Sequence, residues 1–257
     1  MKSPELEHVY EIDVEVSQLN ENGHLKPYAY QFLIADIAGR HLNRFHINAD
    51  DTSKYGLSWA LISQHVEVIR PVVGCEKLYA QTWHTAIKGP YFRRDLIFRD
   101  KNGEVVFMGV TFSILLDLEK RSVARPKILD TLPLYLPEAN PEFLFEAKPT
   151  RKFQMEHAPA DTRKVQNSYL DLLGHVNNCR YSEFAYDTFT AEEVLRLGQL
   201  KHMEIYFESE LRPGDSFTIG KAYEGNTLFF CGHNNDKDDT SFDIVMTFEG
   251  DDFSWIV

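Results

Sequence analysis

The sequence predicts an α+β fold made of two similar halves, each an antiparallel sheet wrapped around a long central helix. Three observations support this prediction: a helix pattern near the start of each half, a series of strand-like runs after each helix, and a match in register between the halves. Because a shared register is stronger than a shared order of elements, we predict an internal duplication.

The register match has three anchors. The segment GHLKPYAYQFLI at 23–34 lies on GHVNNCRYSEFA at 174–185 with a shift of 151 residues, so that His24 falls on His175. The segment HVEVIRP lies on FESELRP with a shift of 142, and VTF lies on MTF with a shift of 136. The shrinking shift indicates shorter loops in the second half.

The first half begins with a helix from Pro27 to Phe45. Its apolar residues have the spacing of one helix face, and Pro27 suits a first helical position because its missing N–H is not needed there. The strand-like runs that follow are SWALISQHVEVIR at 58–70, EKLYAQTWHTAI at 76–87, YFRRDLIFRD at 91–100 and EVVFMGVTFSILLD at 104–117. RDKNGE, between the last two runs, is typical of a hairpin.

Residues 126–150 carry five of the eleven prolines, which suit neither a helix interior nor a central strand. We interpret this region as a surface linker. The predicted boundaries are an N-terminal domain at 1–135, a Pro-rich linker at 136–153 and a C-terminal domain at 154–257.

The second half repeats the order of the first. We predict a short strand near TRKVQ and a helix from about Asn177 to Leu197. The strand-like runs KHMEIYFESEL, DSFTIGKAY, NTLFFCGH and SFDIVMTFEG follow this helix.

Composition limits the function. A formal net charge of −12 and a pI near 5.3 argue against nucleic-acid binding, which needs clustered Lys and Arg. Cys75, Cys179 and Cys231 are widely spaced, so we expect no disulfide framework and no metal site. The acidic N-terminal segment and the lack of a run of about 18 apolar residues predict a cytoplasmic protein that does not enter a membrane.

The two halves differ at two carboxylates. Asp171 falls on Asn20, and Glu210 falls on Val68, so the second half has acids where the first has an amide and an aliphatic side chain. Because both differences fall beside the helix entrance or on the adjoining strand, we expect one chemically active half and one half that shapes a pocket.

Asp171 stands directly upstream of the second helix. It could serve the helix dipole alone, but it could also be a general base or nucleophile in an apolar cleft. In that reading, free N–H groups of the first turn, from Val176 through Asn177 to Asn178, bind substrate and stabilise an oxyanion.

His175 lies four residues after Asp171, where the carboxylate can orient it for proton transfer. His24 at the equivalent place shows that a histidine is also tolerated there without the acid. Glu210 is in phase with Glu204 and Glu208 along MEIYFESEL, so an ordinary polar strand face explains it about as well as a site does.

The remaining signals are weaker. The FRRD stretch at 92–95 is locally basic, which indicates a solvated strand face or a docking patch for an acidic partner. G-x-S-x-G, phosphate-loop and G-x-G-x-x-G motifs are absent from the sequence, which argues against serine hydrolases, P-loop enzymes and Rossmann dehydrogenases.

DLLGHVNNCRYSEFAYD resembles the D-L-D-x-N-x-H-V-N-N-x-x-Y segment of the acyl-ACP thioesterases of plastids and bacteria, and residues 59–107 resemble the first domain of that family, including its R-R-D. The resemblance implies two tandem hotdog domains, the first forming the acyl-chain pocket and the second holding the catalytic groups. It places the family's catalytic acid, histidine and glutamate on Asp171, His175 and Glu210.

The sequence departs from the family at two positions. The family's asparagine between the acid and the histidine is Leu173 here, and the cysteine after its glutamate is Leu211. A mechanism that needs a thiolate at the second position therefore cannot operate. Asp171 acting on water or on the thioester remains.

The resemblance implies hydrolysis of fatty acyl thioesters on acyl carrier protein (ACP), within fatty acid biosynthesis and without a cofactor. Acyl-CoA as the substrate, or an acyl-binding protein without activity, are the alternatives. A homodimer of such fused pairs is also open, and chain-length preference is not readable from the sequence.

Overall fold

The computed structural model describes residues 8–134, 139–153, 155–250 and 252–253. The first half runs in the order β1 (Tyr10–Asp13), α1 (Pro27–Arg44), α2 (Ala49–Ser53), β2 (Leu57–Val68), β3 (Lys77–Lys88), β4 (Tyr91–Arg99), β5 (Val105–Asp117) and β6 (Ser122–Val123). Short 3-10 helices cover Val16–Gln18 and Pro126–Thr131.

The second half repeats the plan with fewer helical residues. Its elements are β7 (Ala158–Lys164), α3 (Cys179–Tyr186), α4 (Ala191–Leu195), β8 (Leu200–Phe207), β9 (Ser216–Glu224), β10 (Thr227–Asn234) and β11 (Asp239–Phe248), with 3-10 turns at Asn167–Tyr169 and Arg196–Gln199. Within the described part of the chain, no helix is long and apolar enough to cross a membrane.

The strands form one sheet in the order β1-β3-β4-β5-β2-β8-β11-β10-β9-β7, with β6 beside β5. The halves meet where β2 pairs antiparallel with β8, from Ser63 opposite Tyr206 to Glu67 opposite His202. α1 and α3 pack against each other, and both contribute to the main core cluster. The predicted fold class is confirmed: an antiparallel sheet wraps a central helix in each half.

The predicted helix from 177 to 197 is wrong in its extent. α3 ends at Tyr186, and a separate helix α4 begins after Thr190. Thr190 accepts a hydrogen bond from the Glu193 N–H, and the Glu193 carboxylate accepts one from the Thr190 N–H. This capping box starts a new helix and fixes its direction, so the chain cannot continue α3.

The duplication is confirmed at the shift of 151. In the first half the Asn20 N–H donates to the His24 carbonyl at 2.8 Å, and in the second the Asp171 N–H donates to the His175 carbonyl at 2.9 Å. Gly23 and Gly174 close the two turns with φ of 76° and 77°, a conformation that glycine adopts without strain. The same turn therefore precedes α1 and α3.

The shift of 142 is wrong. The Leu25 N–H donates to Val72 O and the equivalent Val176 N–H donates to Leu211 O, which gives a shift of 139 (211 − 72). The Val14 N–H donates to Glu76 O and the equivalent Val165 N–H donates to Asp215 O, which gives the same value (215 − 76). With this shift Glu210 falls on Pro71 rather than Val68.

The shift of 136 is wrong because it matches residues that point to opposite faces of the sheet. A Cβ on Gly109 would meet the Ile34 side chain of α1 at 2.6 Å, so Gly109 faces the helix and Val110 points away. Met246 lies in the core cluster with both helices. Strand patterns repeat every two residues, so letters can match in a register that the pairing does not use.

The linker crosses the face of the sheet opposite the helices. Asn140 N–H donates to His84 O at 2.8 Å, Trp83 Nε1 donates to Glu142 O at 3.1 Å, and the Lys148 carbonyl lies 2.9 Å from His65 Nε2. Its described residues 139–153 therefore cover both halves near their junction.

Candidate active site

Asp171 and His175 lie together in the turn before α3, as their spacing predicts. One carboxylate oxygen of Asp171 accepts the Leu173 N–H at 2.8 Å, and the other lies 3.3 Å from His175 Nδ1. The side chains are 22% and 21% exposed, so solvent or a substrate can reach both. The arrangement places a carboxylate and an imidazole within proton-transfer reach of one another.

The first half shows what the turn itself needs. Asn20 Oδ1 accepts the N–H groups of Asn22 at 3.0 Å and His24 at 2.9 Å. A neutral amide therefore closes the same turn. Asp171 also does not cap α3, because the Cys179 N–H is bound by Asn177 Oδ1 at 2.9 Å. The helix-entrance explanation thus accounts for an oxygen at position 171 and not for its charge.

Glu210 reaches the same cavity from a different place than predicted. β8 ends at Phe207, so Glu210 lies beyond the strand and not on its polar face. Its carboxylate pairs with Arg212 at 2.7 Å, and its side chain is 52% exposed. It lines one cavity with Asp171 and His175.

The expected free N–H groups are only partly present. The Val176 N–H donates to Leu211 O at 2.9 Å and the Asn177 N–H donates to Tyr169 O at 2.8 Å, so neither can bind an oxyanion. Among the described residues, the Asn178 N–H has no protein acceptor. The oxyanion prediction is therefore wrong for Val176 and Asn177, and Asn178 is the remaining candidate.

Three neighbouring cavities share lining residues, and two of them are lined by Asp171. The cavity with His175 and Glu210 shares Asp171 and Asn178 with a second cavity beside α1, and the second shares Gln64 with a third between α1 and the sheet. Leu61 lines all three. The third has a volume of about 110 Å³, and its apolar wall consists of Ala35, Ala38, Leu42, Trp59 and Phe92.

Two buried glutamines between the cavities were missed in the sequence. Gln31 and Gln64 are 0% exposed. Gln31 Nε2 donates to Asn178 O at 2.7 Å, Gln31 Oε1 accepts from Ser182 at 2.5 Å, and Gln64 Nε2 donates to Gln31 O at 3.3 Å. The signal was available, because the shift of 151 places Gln31 opposite Ser182 on otherwise apolar helix faces.

Cysteine chemistry has no support at this site. Burial raises the pKa of Cys179 to about 12, so its thiol stays protonated at neutral pH. Leu211, at the position of the family's cysteine, is fully buried in the core, whereas Leu173 is 64% exposed at the cavity rim.

The FRRD stretch is neither a solvated face nor a docking patch. Arg93 and Arg94 are 6% and 8% exposed. Arg93 pairs with Asp95 at 2.8 Å and donates to Phe145 O of the linker at 2.7 Å. The linker covers Arg93, whereas Arg94 donates to Thr82 and lines the cavity between α1 and the sheet. Neither cover was visible from the strand pattern.

Solved structures show the same fold. An acyl-ACP thioesterase from Bacteroides thetaiotaomicron matches with a TM-score of 0.83 and 21% identity, covering 94% of this chain and 97% of that one. The 12:0-ACP thioesterase from Umbellularia californica matches with a TM-score of 0.77 and 14% identity, covering 94% and 97%. The search of curated proteins found no match. The fold is thus that of the two-domain hotdog thioesterases.

Family models define the chain further. The acyl-ACP thioesterase N-terminal domain matches residues 5–130, and the acyl-ACP thioesterase C-terminal domain matches residues 154–252. The chain belongs to the acyl-ACP thioesterase family and is a thioester hydrolase.

Proposed function

We propose that this chain releases free fatty acid from acyl-ACP, with Asp171 acting on water or on the thioester carbonyl. The observation that carries the proposal is the Asp171–His175 pair, 3.3 Å apart, beside a series of cavities that share lining residues and end at an apolar pocket. A carboxylate and an imidazole at the mouth of an apolar pocket suit a substrate with a reactive polar head and a long alkyl chain.

The reaction needs a nucleophile, an oxyanion donor and a proton for the leaving thiol. Water attacks the carbonyl carbon while Asp171 takes its proton, or Asp171 attacks directly and water then cleaves the anhydride. In either route the C–S bond breaks, and the thiolate takes a proton that His175 can supply.

The surrounding groups take supporting roles. The Asn178 N–H, which has no protein acceptor among the described residues, is our candidate donor for the oxyanion. Glu210, held by Arg212, helps to orient water at the exposed edge. The N–H groups of Val176 and Asn177 have other acceptors, so these residues do not bind the oxyanion. They contribute instead to the walls of the cavities around the thioester.

The domain assignment follows from this division of labour. We propose that residues 1–135 form the acyl-chain pocket, residues 136–153 the linker, and residues 154–257 the catalytic domain. A cytoplasmic location, the absence of a cofactor and a homodimer also remain proposals.

The carrier and the activity are tested together. The purified chain is assayed with matched panels of acyl-ACP and acyl-CoA of equal chain length, and acyl-ACP is expected to give the higher kcat/KM. A preference for acyl-CoA would overturn the ACP assignment. Turnover of neither thioester, with fatty acyl chains still bound, would instead show an acyl-binding protein.

A further inference from the structure

A cluster of two histidines and a glutamate lies on the linker side of the sheet, at the junction of the halves. His65 is on β2, and His202 and Glu204 are on β8. One candidate ligand atom from each residue lies within 4.8 Å of the other two. His65 stands directly opposite Glu204 in the β2–β8 ladder and is 2% exposed.

The distances suit a small divalent ion. His202 Nε2 lies 3.1 Å from Glu204 Oε1. Ligands at about 2.0–2.1 Å from a tetrahedral zinc are separated by roughly 3.3 Å, so an ion between these two atoms needs little movement. Two imidazoles and one carboxylate are a ligand set that zinc commonly uses.

The groups behind His202 and Glu204 already have the arrangement that metal ligands require. His202 Nδ1 lies 3.0 Å from Glu67 Oε2, so that a carboxylate orients the ring and leaves Nε2 for the ion. The Tyr206 hydroxyl donates to the second oxygen of Glu204 at 2.5 Å. Glu67 and Tyr206 therefore support His202 and Glu204 without binding their coordinating atoms, whereas Arg151 donates to the coordinating oxygen of Glu204 at 3.3 Å.

The space above the cluster is lined by the linker. His65, His202, Glu204 and Tyr206 share a cavity with residues 146–148 and Arg151. His65 Nε2 lies 2.9 Å from the Lys148 carbonyl, and Arg151 lies 3.2 Å from Glu204. Arg151 is 46% exposed, so its guanidinium can move into solvent when a cation takes its place.

We propose that His65, His202 and Glu204 bind a divalent transition-metal ion of the zinc class. A solvent molecule or the Lys148 carbonyl completes the coordination. The ion joins β2 of the first half, β8 of the second half and the linker above them. This site is on the sheet face opposite the helices and does not depend on the proposed catalytic residues.

No pattern in the sequence indicated such a site. His65 and His202 are distant in the chain and come from different halves, and no local spacing connects them. Only the pairing of β2 with β8 brings them together. The expectation of no metal site rested on the spacing of the cysteines and did not consider histidines from different halves.

The test uses the full chain without an affinity tag, first treated with a chelator and then titrated with Zn²⁺ by calorimetry. One equivalent should bind, and zinc at a hundredfold excess over Kd should raise Tm by about 5 °C or more. No saturable binding, or no thermal shift, would overturn the proposal and leave a hydrogen-bonded cluster.

Variants locate the ion. His202→Ala and Glu204→Gln should lose the zinc-dependent shift, and Glu67→Gln should weaken binding about 10–100-fold. His233→Ala is the matched control, because His233 lies 3.2 Å from Asp238 in an exposed pair that has no third candidate ligand among the described residues. Equal zinc binding by His202→Ala and the wild type would refute the assignment.

A spectroscopic measurement covers the case in which a variant does not fold. Co²⁺ added to the wild-type chain should give the visible absorption of a tetrahedral site, and Zn²⁺ should displace it. Absence of this band would contradict the proposed coordination.

Discussion

Asn20 and Asp171 close the same turn in the two halves. Asn20 does so with an amide and Asp171 with a carboxylate. Both side chains accept backbone N–H groups inside the turn. In the second half the other oxygen faces His175 at 3.3 Å. Because the amide satisfies the turn, the negative charge at position 171 is available for chemistry.

The spacing of Asp171 and His175 predicted their contact because the turn is local. The acceptors of the Val176 and Asn177 N–H groups were not predictable in this way. They are the carbonyls of Leu211 and Tyr169, and Leu211 is far along the chain. Local geometry was therefore readable from the sequence, whereas competition for backbone donors was not.

Asp243 on β11 gives a prediction at the same scale. Burial raises its pKa to about 6, despite a hydrogen bond with Cys231 that acts the other way. The folded state thus holds this proton more tightly than the unfolded state, so the contribution of Asp243 to stability falls as pH rises through 6. Asp243→Asn should raise Tm by a few degrees at pH 8 and by less at pH 4.5, as measured by calorimetry. An equal change at both pH values would contradict this.

Among the elements, the sequence patterns predicted the strands correctly but misplaced the end of the helix in the second half. Each predicted strand-like run after a helix contains an observed strand, because alternating and apolar runs report burial directly. The helix boundary was wrong because its apolar spacing continues past Tyr186. The T-x-x-E pattern at Thr190 and Glu193 marked the new helix start in the sequence itself.

Glu193 holds α4 against the sheet. Its carboxylate binds Lys221, accepts from the Tyr223 hydroxyl at 2.8 Å and is fully buried. Burial lowers the pKa of Lys221, and the hydrogen bond and negative charge of Glu193 act in the opposite direction. The buried ammonium group of Lys221 therefore depends on Glu193 to stay charged. Glu193→Ala leaves Lys221 unpaired and should reduce the free energy of unfolding by about 3–5 kcal/mol.

Urea unfolding checks this value. The control is Glu192→Ala, which removes an exposed acid from the same turn and should change stability by less than about 0.5 kcal/mol. Similar losses in both variants would show that the buried pair has no special role.

At the scale of the whole molecule, the two halves meet as a symmetric dimer would. Gln31 and Ser182 are equivalent at the shift of 151 and bond to each other. His65 and Glu204 are equivalent at the shift of 139 (204 − 65) and face each other across β2 and β8. Contacts between equivalent residues define a pseudo-twofold axis. The sequence revealed the duplication, but only the pairing revealed this axis.

Contacts with the linker show that Arg93 and Asp95 of the R-R-D stretch have a structural role. Arg93 pairs with the fully buried Asp95, whose carboxylate also accepts the Leu144 N–H at 3.1 Å. Arg93→Glu should therefore reduce the free energy of unfolding by about 3 kcal/mol or more, because two buried acids would face each other.

This effect is measured by thermal or urea unfolding. Lys101→Glu, on the exposed hairpin between β4 and β5, is the charge-matched control and should leave stability nearly unchanged. A raised KM for acyl-ACP in Arg93→Glu without loss of stability would favour a docking role instead.

The most direct test of the central claim is the turnover of acyl-ACP by Asp171→Asn. The variant keeps the turn that Asn20 forms in the first half, so its unfolding free energy should change by less than about 1 kcal/mol. Its kcat/KM should fall at least about a hundredfold. Asp36→Asn, which removes an acid from the neighbouring cavity, should keep wild-type turnover. Near-normal turnover in Asp171→Asn would contradict the account.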